Sequence, residues 1–134
     1  MPGMVTKTTG AVGYGKPFVD GPRDVLHVKV DVSALTTAEV DADGYLKAGV
    51  PLAIDGLLIG AANTKRVGVT PNEVKVADTN TALAGITNDP FVAVAFSGTC
   101  NRDSMEDNLG RALTANEIAG LDGAGSSITL SLKK

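Results

Sequence analysis

The chain has 134 residues, of which 20% are charged and 43% apolar, with a net charge of −3 from 12 basic and 15 acidic side chains. That mix describes one globular domain and excludes a disordered tail, a strongly basic nucleic-acid binder and a membrane protein. A domain of this size buries roughly two-thirds of the surface its unfolded chain exposes, so it needs no metal or disulfide to fold. Cys100 is the only cysteine, which rules out an internal disulfide and a four-cysteine zinc site.

Residues 1–24 read as an extended, slightly basic arm. They are rich in glycine and proline and show no helical periodicity. Met1–Lys7 holds no apolar stretch of the length a secretory signal needs, and no run in the chain approaches a membrane span. The expectation is a protein that stays soluble in the cytoplasm where it is made.

The body is expected over 25–134. Val25 to Val32 alternates strictly, with Leu26, Val28, Val30 and Val32 on one face and His27, Lys29 and Asp31 on the other. That period predicts a strand with one buried and one wetted face. Asp43-Gly44 predicts a turn. Tyr45 to Leu52 reads as two short strands around Ala48-Gly49, ended by Asp55-Gly56. Residues 57–66 read as a mobile insert. Val67 to Thr70 reads as an edge strand because Pro71 lacks a donor, and Val74 to Val76 as another short strand.

Asn88-Asp89-Pro90 predicts a turn before Phe91 to Phe96, the most apolar segment and the expected core strand, stopping at Ser97-Gly98. Asn101 to Leu109 is polar and suits a helical turn. Thr114-Ala115-Asn116-Glu117 has the capping-box pattern, opening a short helix that Gly120 and Gly123 should end. Ser127 to Leu132 closes the chain as a strand. The fold class expected is mainly β, with one or two short helices and the extended arm.

The residues offer no catalytic constellation. His27 is the single histidine and falls on the wetted face of its strand. Cys100 has no nucleophile signature around it and reads as a small, partly buried thiol. Asp41-Ala42-Asp43-Gly44 starts like a calcium loop, but Leu52 stands where the bidentate glutamate belongs. Gly13-Tyr14-Gly15-Lys16 lacks the pattern of a phosphate loop. Asp103, Glu106 and Asp107 read as a solvated face. The expectation is therefore no enzyme, no cofactor, no metal and no small-molecule substrate. A site assembled from His27, Arg102 and Asp103 between subunits is the enzymatic alternative. A small ligand- or sugar-binding β domain is the non-catalytic one, weakened by the scarcity of aromatics.

Two blocks carry a resemblance. Leu46-Lys47-Ala48-Gly49-Val50-Pro51-Leu52 is similar to a leucine-lysine-x-glycine-x-x-leucine stretch of lambda-type phage head decoration proteins. Gly85-Ile86-Thr87, then Val92 to Phe96, Gly98 and Asn101-Arg102-Asp103-Ser104-Met105, resembles a later block of that family, and the Thr114–Leu121 helix and final strand follow in its order. The resemblance implies a small β-barrel or β-tulip-like body that forms a homotrimer on the outer surface of a virion. Its partner would be the major capsid protein, cemented at local three-fold positions after shell expansion, with no role for nucleic acid or membrane. The arm would add a strand to the shell through Val5, Thr6, Lys7, Thr8 and Thr9, with Tyr14 and Phe18 as anchors.

Overall fold

The computed structural model describes residues 16–61, 63–123 and 125–131. It is a small single-domain body, mainly β with two short helices, and its sheets are open rather than closed into a barrel. The strands are β1 (Arg23–Lys29), β2 (Tyr45–Leu46), β3 (Pro51–Ala53), β4 (Val67–Val69), β5 (Val74–Lys75), β6 (Phe91–Asn101) and β7 (Ser127–Ser131). The helices α1 (Arg102–Leu109) and α2 (Ala115–Leu121) lie between β6 and β7.

The main sheet runs in the order β1-β6-β4-β3, with β7 also paired to β6. All its pairs are antiparallel except β6 with β7, which the two helices connect as a parallel crossover. Strands β2 and β5 form a separate antiparallel pair.

β6 is the axis of the molecule. Val92, Val94 and Phe96 are buried in one apolar core with Val28, Val30 and Val69. The strand does not stop at Ser97-Gly98 as its composition suggests; it continues to Asn101. Gly98 makes this possible. It holds φ +136, and a Cβ there would come within 2.9 Å of the Phe18 ring. Only glycine combines that backbone with that contact. Phe91 also departs from expectation. It opens β6 opposite Lys29 and is 65% exposed.

β4 is not an edge strand. It sits between β6 and β3, because Pro71 falls beyond its end and its missing donor costs the ladder nothing. Thr70 finishes the strand instead: its N–H donates to the Val50 carbonyl, and its hydroxyl accepts from Val50 N–H and donates to the Lys47 carbonyl.

α1 is capped by Asn101, whose side chain accepts from Ser104 N–H. α2 carries both capping-box bonds, Glu117 N–H to Thr114 Oγ1 and Thr114 N–H to Glu117 Oε1. Gly120 does not end α2 but lies inside it. A Cβ at that point would meet Val67 Cγ2 at 3.0 Å, so the glycine lets the helix approach β4.

The insert 57–66 has no regular structure among its described residues, yet Leu58 and Ile59 pack against the core. With α2 it frames a groove of about 180 Å³ lined by small residues, including Gly60, Ala61 and Ala119.

Candidate functional site

The most distinctive surface is the edge of the main sheet at β1, beside which no further strand lies among the described residues. β1 ends the strand order, and every residue of it except Val28 is exposed. The alternation read from sequence holds from Val28 onward, with Val30 and Val32 fully buried. It fails at Leu26, which is 42% exposed, while its neighbour Val25 on the opposite face is 43% exposed. At this end the core gives way to charge. The Arg66 guanidinium lies 4.7 Å from the centroid of the Phe96 ring and 3.6 Å from the Asp24 carboxylate.

Backbone direction follows from one bond. Val30 N–H donates to the Pro90 carbonyl, so even-numbered residues of β1 point their backbone groups at β6 and odd-numbered ones point away. On the outward side, Asp31 N–H donates to the Gly56 carbonyl, and Gly56 lies against the Lys29 carbonyl. The turn at 54–56 thus caps one end of the edge. At the other end Asp24 adopts φ +55, a left-handed conformation that short polar side chains tolerate. Between these ends the N–H and C=O of Val25 and His27, and the N–H of Lys29, have no partner among the described residues.

Side chains add to the pattern. Val25, His27 and Lys29 stand directly opposite Ala95, Ala93 and Phe91, so these six residues share one face of the sheet. Val19, 56% exposed, lies just before β1.

Contacts between the N-terminal segment and the body begin before residue 25. Pro17 is buried, its carbonyl accepts from Asn101 N–H, and Val19 N–H donates to the Thr99 carbonyl. Phe18 bridges to Cys100 and packs on the core. Phe18, expected as a shell anchor, thus packs half-buried against its own body. Val5, Thr6, Lys7, Thr8, Thr9 and Tyr14 lie outside the described residues.

The other residues singled out from sequence are scattered. His27 is exposed on β1, and eight residue steps of strand lead from its partner Ala93 to Asn101. At the usual rise this sets His27 about 26 Å from the start of α1, where Arg102 and Asp103 lie. The structure does not bring these three together. Asp41 serves its turn by accepting from the N–H groups of Asp43 and Tyr45. Glu106 is half-buried rather than solvated: its Oε2 accepts from Arg102 Nε at 3.1 Å and from Leu113 N–H at 2.8 Å. Cys100 is fully buried, and burial pushes its thiol up to about 12.

One cluster escaped the sequence reading. Arg111 binds Glu117 with both terminal nitrogens and reaches Glu39 at 3.4 Å. Both carboxylates are almost completely buried. Glu39 Oε1 also accepts from the N–H and hydroxyl of Thr36. The cluster ties together the 36–39 turn, the α1–α2 connection and α2. Every carboxylate oxygen in it has a donor, so it reads as a structural clamp. Only the Glu117 of the capping box was visible in sequence, since the 72-residue separation of Glu39 from Arg111 leaves no local signal.

Among the described residues no group of three or more histidine, cysteine, aspartate or glutamate side chains is placed to hold a metal ion, and no helix is long and apolar enough to cross a membrane. No family model, curated protein or solved structure matches the chain.

Proposed function

We propose that this chain is a structural virion protein of the phage head-decoration type. It binds the outside of an expanded capsid as trimers at local three-fold positions and holds neighbouring major capsid subunits together. It performs no chemistry and takes no cofactor.

The observation that carries the reading is the set of large apolar side chains exposed on the edge strand and at its ends. Val25 and Leu26 are left in water on opposite faces of β1, Phe91 lies opposite Lys29 at the far end of that strand, and Val19 precedes it. Apolar side chains left exposed on an edge strand suit a surface that another protein covers. Two further features support it. The blocks that carry the family likeness fall on structured elements: 46–52 runs from β2 into β3, and 85–105 runs through β6 into α1. The site chemistry fits as well, because the buried charges are consumed in a clamp rather than aimed into a cavity.

Co-sedimentation tests the proposal. Purified protein is mixed with expanded and unexpanded tailed-phage heads that lack their own decoration protein. Saturable binding to expanded heads alone, with raised resistance to heat or chelator, is expected. Failure to bind either form, with a clean monomer at all concentrations, would count against it.

A further inference from the structure

We propose that Asp20-Gly21 is a site of spontaneous backbone modification, where the chain closes to a succinimide and reopens as isoaspartate. This chemistry belongs to the fold itself and is independent of the proposed capsid role.

The sequence holds four aspartate-glycine pairs, Asp20-Gly21, Asp43-Gly44, Asp55-Gly56 and Asp122-Gly123, and no asparagine-glycine pair. The four are alike in local chemistry, because glycine has no side chain to hinder attack by its own nitrogen. The fold separates them. Gly44 N–H donates to the Asp41 carbonyl at 2.9 Å, Gly56 N–H to the Ala53 carbonyl at 2.9 Å, and Gly123 N–H to the Gly120 carbonyl at 3.2 Å. Each of these amides must give up its bond before the nitrogen can turn to the carboxyl. Gly44 and Gly56 are pinned further. Both hold positive φ, and a Cβ on either would collide with a carbonyl, that of Ala77 or that of Lys29.

Gly21 is placed otherwise. Its N–H donates to Asp20 Oδ1 at 2.9 Å, so the nitrogen and the carboxyl that would join already face each other. Both residues are exposed, and nothing lies within 4 Å of where a Gly21 Cβ would stand. Pro22 has no N–H with which to anchor the next peptide unit. Arg23 closes the turn: its Nη1 lies 3.2 Å from the Gly21 carbonyl oxygen and 3.6 Å from Asp20 Oδ2. One carboxylate oxygen thus faces the guanidinium and the other faces the amide. An ion pair this exposed is weak and leaves the carboxylate free to take a proton from water.

The reaction needs only water. Gly21 N forms a bond to Asp20 Cγ, and a Cγ–O bond of the protonated carboxyl breaks. The departing hydroxyl takes the amide proton and leaves as water. A second water then adds to one of the two ring carbonyls. Opening at Cγ restores aspartate. Opening at the Asp20 backbone carbonyl leaves the chain running through Cγ, with the carboxylate on Cα. The backbone gains one carbon between two fixed points, Val19 N–H on the Thr99 carbonyl and Arg23 opposite Ser97.

Ageing the full chain at neutral pH tests this. Trypsin places the four pairs in separate peptides, 8–23, 30–47, 48–65 and 112–133. Isoaspartate in each is read by resistance to an aspartate-specific protease and located by electron-transfer fragmentation. In the native chain, peptide 8–23 should accumulate it at least about tenfold faster than any other, because the other three pairs react only through local opening. In guanidinium chloride, where the fold is gone, the four should convert at similar rates. Gly21→Ala has room for its methyl and no positive φ to oppose it, so the fold should be unchanged while conversion slows several-fold. Asp20→Glu keeps the charge beside Arg23 and should abolish conversion, since the ring would need a sixth member. The proposal is overturned if native Asp20 converts no faster than the other three, or if Gly21→Ala converts as fast as the wild type. It is also overturned if Asp20 leads by as much in guanidinium chloride, because local sequence would then set the order.

Discussion

Arg111 grips Glu117 through two parallel hydrogen bonds of 2.9 and 3.0 Å, and the same guanidinium reaches the Glu39 carboxylate at 3.4 Å. The bidentate geometry is the strong form of this contact. Two nearly buried carboxylates thus share one cation, and the guanidinium is held charged more firmly than usual, first by its hydrogen bonds to Glu117. Arg111→Met keeps much of the stem but strands both carboxylates. The expected loss is about 3 kcal/mol, because the penalty comes from the uncompensated charges left behind. Removing all three charges together, with apolar replacements, should cost less than Arg111→Met alone. Urea denaturation of both variants checks the order; the reverse order would mean that the pairing itself stabilises the fold.

Phe96 and His27 test the strand faces. Phe96 is fully buried on β6, and its ring carries the Arg66 guanidinium on one side. Phe96→Ala should cost about 3–5 kcal/mol. His27 is exposed on the edge strand, so His27→Ala should fall within about 0.5 kcal/mol of zero. Chemical denaturation of the two variants decides, and a loss at His27 larger than at Phe96 would invert the assignment of faces.

Where the arm ends is a measurable boundary. Residues 17–19 bond to the end of β6, and the half-buried Phe18 ring covers Gly98. A chain lacking residues 1–15 should melt like the full protein. A chain lacking residues 1–20 loses those bonds and the ring, so it should be less stable by about 1–2 kcal/mol, part of the cost of a fully buried phenylalanine. If the proposed capsid role holds, both truncations bind heads weakly. Equal melting of the two truncations would return the boundary to residue 24.

The elements legible in sequence were those written in local chemistry. The capping box at Thr114–Glu117, the Asp43-Gly44 turn and the alternation from Val28 to Val32 each depend on residues within a few positions of one another. What sequence missed was set by tertiary neighbours. β4 is internal because β6 and β3 flank it, which Pro71 could not reveal. β6 runs past Gly98 because Phe18, eighty positions earlier, lies over it. Leu26 alternates correctly yet stays exposed, because periodicity reports which face a residue is on and not whether anything covers that face. The edge position of β1 was hidden for the same reason, since having no neighbouring strand among the described residues leaves no signature in the residue itself.

Cys100 provides the pH test. The thiol lies in β6 with no exposed surface, and burial raises it from 9.0 to about 12. The folded state disfavours thiolate while the unfolded state ionises freely, so above about pH 9 the unfolded chain binds fewer protons than the native one. Stability from the neutral buried thiol is therefore complete below pH 9 and falls as pH rises toward 12, by at most about 1.4 kcal/mol per pH unit. Tyrosine and lysine titrate in the same range, so the informative quantity is the difference between the wild-type chain and Cys100→Ala. Cys100→Ala should be less stable at pH 7, by about 1 kcal/mol for the lost sulfur contacts. That gap should shrink, and then reverse, between about pH 9 and 10.5. Urea midpoints across this range measure it. Iodoacetamide at pH 8 supplies a second reading: a buried, protonated thiol reacts only through opening of the fold, so labelling should be slow and should accelerate with urea. Rapid labelling of the native chain, or a gap between the two proteins that stays constant with pH, would show that Cys100 is not held neutral inside the sheet.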